Sequence, residues 1–196
     1  MTNVLILGAN GSLARVAIDR FLKETDAQLS LYMRNSRRLR NIDSNRVQVI
    51  EGNVIDLEKL KEAMNGQDVV YANLAGNLEQ MATTVVEAMT ATGVKRLIWI
   101  SSMGIYDEVP GQRYSSVLDP YRKSAEIIEA SDLNYTILRP GWFTNKDGID
   151  YQITQKGEPF KGHDISRKSL ADLIVKLAVT SGMEVRNSLG VSKPNS

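Results

Sequence analysis

The sequence predicts an α/β protein with a Rossmann-type three-layer αβα architecture and a doubly wound, mainly parallel sheet. Short apolar runs alternate with segments of helical periodicity to the end of the chain, and strands of this kind are buried on both faces of a helix-covered parallel sheet. The first run, Val4-Leu5-Ile6-Leu7, is followed at once by the glycine turn Gly8-Ala9-Asn10-Gly11-Ser12-Leu13-Ala14. This order is typical of a strand, a tight turn and the first turn of a helix.

The later elements follow by their apolar spacing. After the glycine turn, helical spacing is shown by Leu13, Val16, Ala17 and Phe21. Further strands are predicted at 28–33, 47–50, 68–71, 97–100, 135–138 and 188–191. Between them we expect a short helix capped by Asp56, a helix over 78–89 that ends at Gly93, a helix at Pro120 capped by Asp119, and a helix over 170–178.

Length and composition limit the kinds of protein and partner that the sequence allows. The 196 residues, 42% of them hydrophobic, suit one domain, and we expect residues 1–196 to form it. A net charge of +1 argues against a nucleic-acid partner. The lack of cysteine excludes disulfides and thiol catalysis, and a single histidine argues against a His-based metal site. A strand at the N-terminus leaves no room for a signal peptide, and no apolar run approaches the roughly 20 residues of a membrane span. We therefore expect a cytoplasmic protein with no membrane partner.

The glycine turn predicts a pyrophosphate site. Gly8 allows the sharp turn, and Gly11 allows close approach of the backbone to phosphates. The N–H groups and the positive dipole end of the following helix face the anion. The expected cofactor contacts in this turn are Gly8, Asn10, Gly11, Ser12 and Leu13. The alternative is a glycine-rich turn that binds no ligand.

Ligands of such sheets bind at the carboxyl ends of the strands. After the second strand, Arg34 and Arg38 stand where NAD-preferring sites usually carry an acidic residue. A guanidinium matches a phosphate that a carboxylate would repel, so we expect the 2′-phosphate of NADP here. Arg37 and Arg40 are interpreted as solvated members of the same basic turn.

The remaining strand ends supply further candidates. Asn53 and Val54 are expected at the adenine. Leu74, Ala75 and Gly76 are expected at a ribose, because small residues in this segment let the backbone pass close to it, although an ordinary βα turn explains the segment equally well. Ser101 and Ser102 are expected to face the nicotinamide and a carbonyl substrate. Pro140 and Gly141 are expected at the carboxamide. Trp142 and Phe143 are also candidate cofactor contacts; they either wall a planar substrate or belong to the core.

Taken together, these segments resemble the atypical branch of the short-chain dehydrogenase/reductase superfamily, which includes biliverdin-IXβ (flavin) reductase and NmrA-like proteins. The marks of this resemblance include Tyr135-Thr136-Ile137-Leu138-Arg139-Pro140-Gly141 and Ile165-Ser166-Arg167. The resemblance covers almost the whole chain. It implies a Rossmann fold, NADP bound across the strand ends and hydride transfer from the nicotinamide C4.

One departure from the superfamily concerns proton transfer. Its usual catalytic unit is a Tyr and a Lys four residues apart with a Ser from strand 5, and Ser102 matches that Ser. However, Asp119 rather than Tyr precedes Lys123 by four residues, and the position of the usual Lys falls on Tyr121. Residues 121 and 123 point about 200° apart around a helix. Either Tyr121 replaces the Lys as a cofactor contact or a small shift brings in Lys123, so Ser102, Tyr121 and Lys123 are the candidate catalytic residues.

The resemblance and this departure lead to three functional hypotheses. The first is an NADPH-dependent reductase of a flavin, quinone or similar planar acceptor, with residues 141–165 as a substrate-side loop. The second is a catalytically weak NmrA-like sensor of the NADP redox state that acts through a protein partner. The third, a sugar-nucleotide epimerase, needs a larger substrate subdomain. His163 is expected to be a loop residue, and the protein to be a monomer or homodimer.

Overall fold

The computed structural model describes residues 1–39, 42 and 45–196. Ten strands are assigned among them: β1 (Asn3–Leu7), β2 (Gln28–Met33), β3 (Val47–Glu51), β4 (Val69–Ala72), β5 (Arg96–Ile100), β6 (Asn134–Pro140), β7 (Trp142–Thr144), β8 (Gln152–Gln155), β9 (Asp164–Ser166) and β10 (Asn187–Ser192). Five α-helices join them: α1 (Ser12–Glu24), α2 (Leu57–Met64), α3 (Leu78–Thr92), α4 (Asp119–Glu129) and α5 (Arg167–Val179).

Eight strands form one sheet in the order β3-β2-β1-β4-β5-β6-β10-β8. All neighbours pair in parallel except β8, which runs antiparallel to β10. From β1, the chain adds β2 and β3 on one side of the sheet. It then crosses to the other side of β1, where β4, β5 and β6 follow in order, so the strand order reverses between β1 and β4. In such sheets the ligand crevice lies at the carboxyl ends of the strands beside this reversal.

Two hydrophobic cores lie on opposite faces of the sheet. The first contains residues of α1 and α5, and the second contains residues of α2, α3 and α4. Residues 4–7 of β1 are all apolar because both faces of the strand are buried. Val4 and Ile6 enter the first core, while Leu5 and Leu7 enter the second. The predicted three-layer α/β architecture is confirmed. Among the described residues, no helix is both long and apolar enough to cross a membrane.

Several predicted helix boundaries are also confirmed. The Asp56 side chain accepts from the Lys59 N–H and caps α2, and Gly93 ends α3 in the left-handed conformation with φ +77°. The prediction that Asp119 caps α4 is wrong. Leu118 holds the cap position, because the Asp119 carboxylate is engaged by the Tyr114 hydroxyl and by Arg122 instead.

The segment 141–165 contains more regular structure than a loop. It carries β7 and β8 and the start of β9, and β7 pairs in parallel with β9 outside the main sheet. These strands are three or four residues long, which is too short for a period-two pattern to identify them in the sequence. Arg40, interpreted above as a solvated arginine, lies outside the described residues.

Candidate cofactor site

A cavity of about 590 Å³ opens at the carboxyl ends of the central strands. Its lining comes from the ends of β1, β2, β3 and β4, from the turns that follow them and from one residue of α3: Gly8, Asn10, Gly11, Tyr32, Met33, Arg34, Asn35, Arg38, Gly52, Asn53, Val54, Asn73, Leu74, Ala75 and, on α3, Met81. Most of the residues predicted for the adenosine and pyrophosphate part of the cofactor are thus brought together. Their contacts with a cofactor stay predictions.

Both turn glycines are packed against Asn73, the first residue after β4. A Cβ on Gly8 would lie 2.0 Å from the Asn73 carbonyl oxygen, and Gly8 has a φ of +75°. A Cβ on Gly11 would lie 2.2 Å from the Asn73 side-chain nitrogen. The glycines therefore allow two loops of the protein to meet at the cavity floor, a packing requirement that exists without any ligand.

The arginines at the end of β2 lie on a loop that other groups hold in place. The Ser36 N–H and hydroxyl both donate to Glu51 Oε1, at 2.8 and 2.5 Å, and these two hydrogen bonds lower the pKa of the Glu51 carboxyl. Arg15 donates to the Arg38 carbonyl at 3.1 Å. Among the residues that the structure describes, no carboxylate pairs with the guanidinium of Arg34 or Arg38, so both charges are available to an anion.

Asn10 carries an unused acceptor at the cavity wall. Its side-chain nitrogen donates to the Asn35 carbonyl at 2.8 Å. Its side-chain oxygen is buried and finds no hydrogen-bond partner within the described part of the chain. A buried polar atom without a partner is costly, and a ligand hydroxyl in the cavity would satisfy it. This orphaned acceptor fits a ribose-containing cofactor.

Tyr32 lines the cavity, although the sequence patterns did not identify it as a site residue. Its hydroxyl donates to the Asn53 carbonyl at 3.0 Å, and a Cβ on Gly52 would lie 2.3 Å from that hydroxyl. Burial, with a smaller effect of the Asp56 charge, raises the pKa of Tyr32 to about 12, so the phenol stays neutral. The Asn53 side-chain oxygen accepts from the Ile55 N–H at 3.3 Å and thus also shapes the turn.

Other lining residues missed by sequence reasoning are Met33, Asn35, Gly52, Asn73 and Met81. Asn73 and Asn35 stand in strand-end segments and were identifiable by position. Met33 and Met81 carry no local signal, because a methionine in a strand or a helix stripe is typical of core. Eight predicted cofactor contacts lie outside the lining: Ser12, Leu13, Gly76, Ser101, Pro140, Gly141, Trp142 and Phe143.

The candidate catalytic residues do not line this cavity. The Ser102 hydroxyl donates to the Met103 carbonyl at 3.0 Å. The Lys123 ammonium lies 3.3 Å from the Glu79 carboxylate, and Tyr121 packs against the second core. The Ser101 hydroxyl is buried and lacks a partner among the described residues. Within the described part of the chain, no hydrogen bond or ion pair joins these four groups to one another.

The aromatic pair after β6 faces solvent. Trp142 is 63% exposed and Phe143 is 38% exposed, so the alternative that they belong to the core is wrong. A Cβ on Gly141 would lie 2.3 Å from the His163 carbonyl oxygen, which explains this glycine by close packing of the chain before β9. His163 is an exposed residue whose ring lies 6.4 Å from that of Trp142.

The arginine of the Arg139-Pro140-Gly141 motif has a structural role. Its side chain is fully buried and donates to Glu108, to the Ser188 hydroxyl and carbonyl, and to the Thr154 carbonyl. It thereby ties β6 to β8, to β10 and to the loop after β5. Among the residues described, no cluster of His, Asp or Glu is arranged to hold a metal ion.

Comparison with known proteins agrees with this geometry. A family model described as NAD(P)H-binding matches residues 8–180. The chain belongs to the NAD(P)H-binding family. A Rossmann-fold NAD(P)-binding family protein from Shigella flexneri is 41% identical to this NAD(P)H-binding protein, with a TM-score of 0.91 and coverage of 100% of this chain and 95% of the other.

Two more distant relatives of this NAD(P)H-binding protein are informative. A short-chain dehydrogenase/reductase from Veillonella parvula, solved in complex with NADP, is 29% identical, with a TM-score of 0.91 and coverage of 99% and 95% of the two chains. An uncharacterised sugar epimerase, YhfK of Bacillus subtilis, is 25% identical over 161 residues, 74% of each chain. Other curated relatives are named oxidoreductases. The resemblance to atypical short-chain dehydrogenase/reductases is confirmed, and with it NAD(P)H-dependent oxidoreductase chemistry as the general class.

Proposed function

We propose that this protein is an NADPH-dependent reductase that transfers hydride to a small planar acceptor such as a flavin or a quinone. The observation that carries the NADPH assignment is the charge of the cavity. Its lining includes Arg34 and Arg38 and, among the described residues, no carboxylate. An acidic residue at the end of the second strand would repel a 2′-phosphate, whereas guanidinium groups bind it.

The residues present fit the cofactor in three places. The adenosine 2′-phosphate would meet Arg34 and Arg38, a ribose hydroxyl would satisfy the orphaned oxygen of Asn10, and the pyrophosphate would meet the N-terminus of α1. When bound, NADPH supplies a hydride from its nicotinamide C4. The exposed rings of Trp142 and Phe143 would lie against a flat acceptor.

The missing Tyr/Lys proton relay favours a conjugated acceptor. Asp119 rather than Tyr precedes Lys123 by four residues, Lys123 is paired with Glu79, and the Ser102 hydroxyl donates to the Met103 carbonyl, so the described residues form no Tyr/Lys relay to a simple carbonyl. A flavin or quinone takes hydride at an electron-poor ring and its proton from water. Epimerisation of a sugar nucleotide needs proton transfer at the sugar and is disfavoured by the same observation.

Cofactor titration tests the NADPH assignment. NADPH and NADH are titrated into wild type, Arg34→Ala and the control Arg37→Ala, which removes another exposed charge from the same loop outside the cavity lining. We expect Arg34→Ala to weaken NADPH binding by about tenfold or more, as a charged hydrogen bond to phosphate is lost, and to leave NADH binding unchanged. Arg37→Ala is expected to bind both as wild type does. Equal affinity of wild type for the two cofactors would refute the assignment.

Turnover tests the acceptor. NADPH absorbance is followed with FMN, riboflavin and a quinone as acceptors, and we expect it to fall with at least one of them. Tight NADPH binding without turnover across this panel would favour the second hypothesis, an NmrA-like redox sensor. The absence of the Tyr/Lys relay is the observation that keeps this alternative open.

A further inference from the structure

Arg167, the first residue of α5, extends across the N-terminus of α1. Its Nε donates to the Ser12 hydroxyl at 3.0 Å, and its Nη1 donates to the Asn145 side-chain oxygen at 2.9 Å. The same guanidinium lies over the Phe143 ring, 5.0 Å from its centroid. One side chain thus touches the glycine-turn helix and the aromatic pair after β6.

Its position relative to the cofactor site follows from Ser12. Ser12 is the first residue of α1, Gly11 is the cap, and no side chain caps this helix. The free N–H groups of that first turn are where the pyrophosphate is expected. A cation bonded to the Ser12 hydroxyl therefore stands beside the expected pyrophosphate.

The charge on Arg167 is not neutralised by the protein. Within the described residues its hydrogen bonds go to a hydroxyl and an amide, and no carboxylate lies within ion-pair distance. The next residue, Lys168, differs because its ammonium is paired with Asp147. Arg167 is also partly exposed, so an anion can reach its guanidinium without a change in the fold.

We propose that Arg167 is a pyrophosphate contact that exchanges its bond to the Ser12 hydroxyl for bonds to phosphate oxygens. The bond to Asn145 and the stacking on Phe143 hold the guanidinium at the site. A guanidinium fork suits two neighbouring phosphates. The inference rests on the proposed NADPH function and extends it: Arg34 would bind the 2′-phosphate, and Arg167 would bind the pyrophosphate.

Fragments of the cofactor separate the two arginines. 2′-AMP carries the 2′-phosphate and no pyrophosphate, ADP-ribose carries the pyrophosphate and no 2′-phosphate, and NADPH carries both. We expect Arg167→Gln to weaken ADP-ribose and NADPH by about tenfold or more and to leave 2′-AMP unchanged. Arg34→Ala is expected to give the opposite pattern with the two fragments. Arg167→Lys, which keeps the charge without the fork, should recover part of the affinity.

Lys168→Gln is the matched control, because it removes the neighbouring charge from the same helix turn, and we expect all affinities to stay as in wild type. Unchanged ADP-ribose binding in Arg167→Gln would overturn the inference while leaving the NADPH function intact. Equal weakening of 2′-AMP and ADP-ribose together with a lower melting temperature would also overturn it, in favour of a structural role. Failure of wild type to bind NADPH would refute the proposed function itself.

Discussion

The guanidinium of Arg139 donates to the Glu108 carboxylate at 2.6 Å, and their side chains are 0% and 6% exposed. Glu108 also accepts from the backbone N–H groups of Gly104 and Tyr106. The pair therefore fixes the loop after β5, which leads from Ser101 and Ser102 toward α4.

Loss of this pair should destabilise the protein severely. Arg139→Leu leaves the Glu108 carboxylate buried without its cation, and we expect the free energy of unfolding to fall by about 3–5 kcal/mol. Urea denaturation provides the measurement. The control Lys61→Gln breaks an exposed pair with Glu58 and should cost less than about 1 kcal/mol. Similar losses in the two variants would contradict the assigned role of the buried pair.

The same pair predicts an acid limit of stability. Burial by itself raises the pKa of the Glu108 carboxyl, but hydrogen bonds from backbone N–H groups and from Arg139 outweigh it, and the pKa is lowered. The unfolded state then takes up a proton at a higher pH than the folded state, so this stabilisation is complete above the ordinary glutamate pKa of about 4.3 and is lost as pH falls through the lowered value. Unfolding free energies measured between neutral pH and this range should fall less steeply for Glu108→Gln. Parallel curves for the two proteins would show that Glu108 does not contribute.

The contact between the glycine turn and Asn73 predicts a large effect of one methyl group. Gly8→Ala places a Cβ 2.0 Å from the Asn73 carbonyl oxygen at a φ of +75°, whereas Gly66→Ala has a similar φ of +79° and nothing within 4 Å. We expect Gly66→Ala to cost about 1–2 kcal/mol from the left-handed backbone alone and Gly8→Ala clearly more, because the loop after β4 must move. Equal melting temperatures for the two variants would contradict this.

The ion pair of Lys123 with Glu79 predicts a small kinetic effect. A lysine that takes part in proton transfer is worth about 10²–10⁴-fold in rate. Since the Lys123 ammonium is held at 3.3 Å by Glu79, we expect Lys123→Gln to change kcat by no more than about threefold, far below that range. Steady-state rates with the acceptor found in the turnover panel provide the measurement. Glu79→Gln, which releases the ammonium, should likewise leave kcat near the wild-type value, and a hundredfold loss in Lys123→Gln would restore Lys123 as a catalytic residue.

The two tryptophans allow the acceptor site to be located. Trp142 is 63% exposed and Trp99 is 1% exposed, so iodide should quench the fluorescence of Trp142 alone. If the acceptor lies against Trp142, a saturating acceptor will protect that residue from iodide. Trp142→Phe should lose the iodide-sensitive emission and keep the Trp99 emission. Undiminished quenching with acceptor bound would place the acceptor elsewhere.

Local patterns in the sequence were sufficient to predict the fold and most of the residues that line the cavity proposed for the adenosine and pyrophosphate part of the cofactor. The apolar runs identified the central strands, the glycine turn and the arginines after β2 identified residues that do converge on one cavity, and Asp56 and Gly93 identified helix ends. Each of these signals depends on a few adjacent residues. The short strands within 141–165 were missed because nothing in three or four residues sets them apart from a loop.

The sequence by itself determined the α/β architecture, the position of the cofactor turn and the missing Tyr/Lys spacing, because backbone conformation and burial pattern are local properties. Only the tertiary structure decided which side chains meet across distant segments. It placed Asn73 against both turn glycines, Glu108 against Arg139 and Arg167 beside Ser12, 155 residues away in the chain. Such pairs arise from the packing of whole strands and helices, and no spacing within one segment records them.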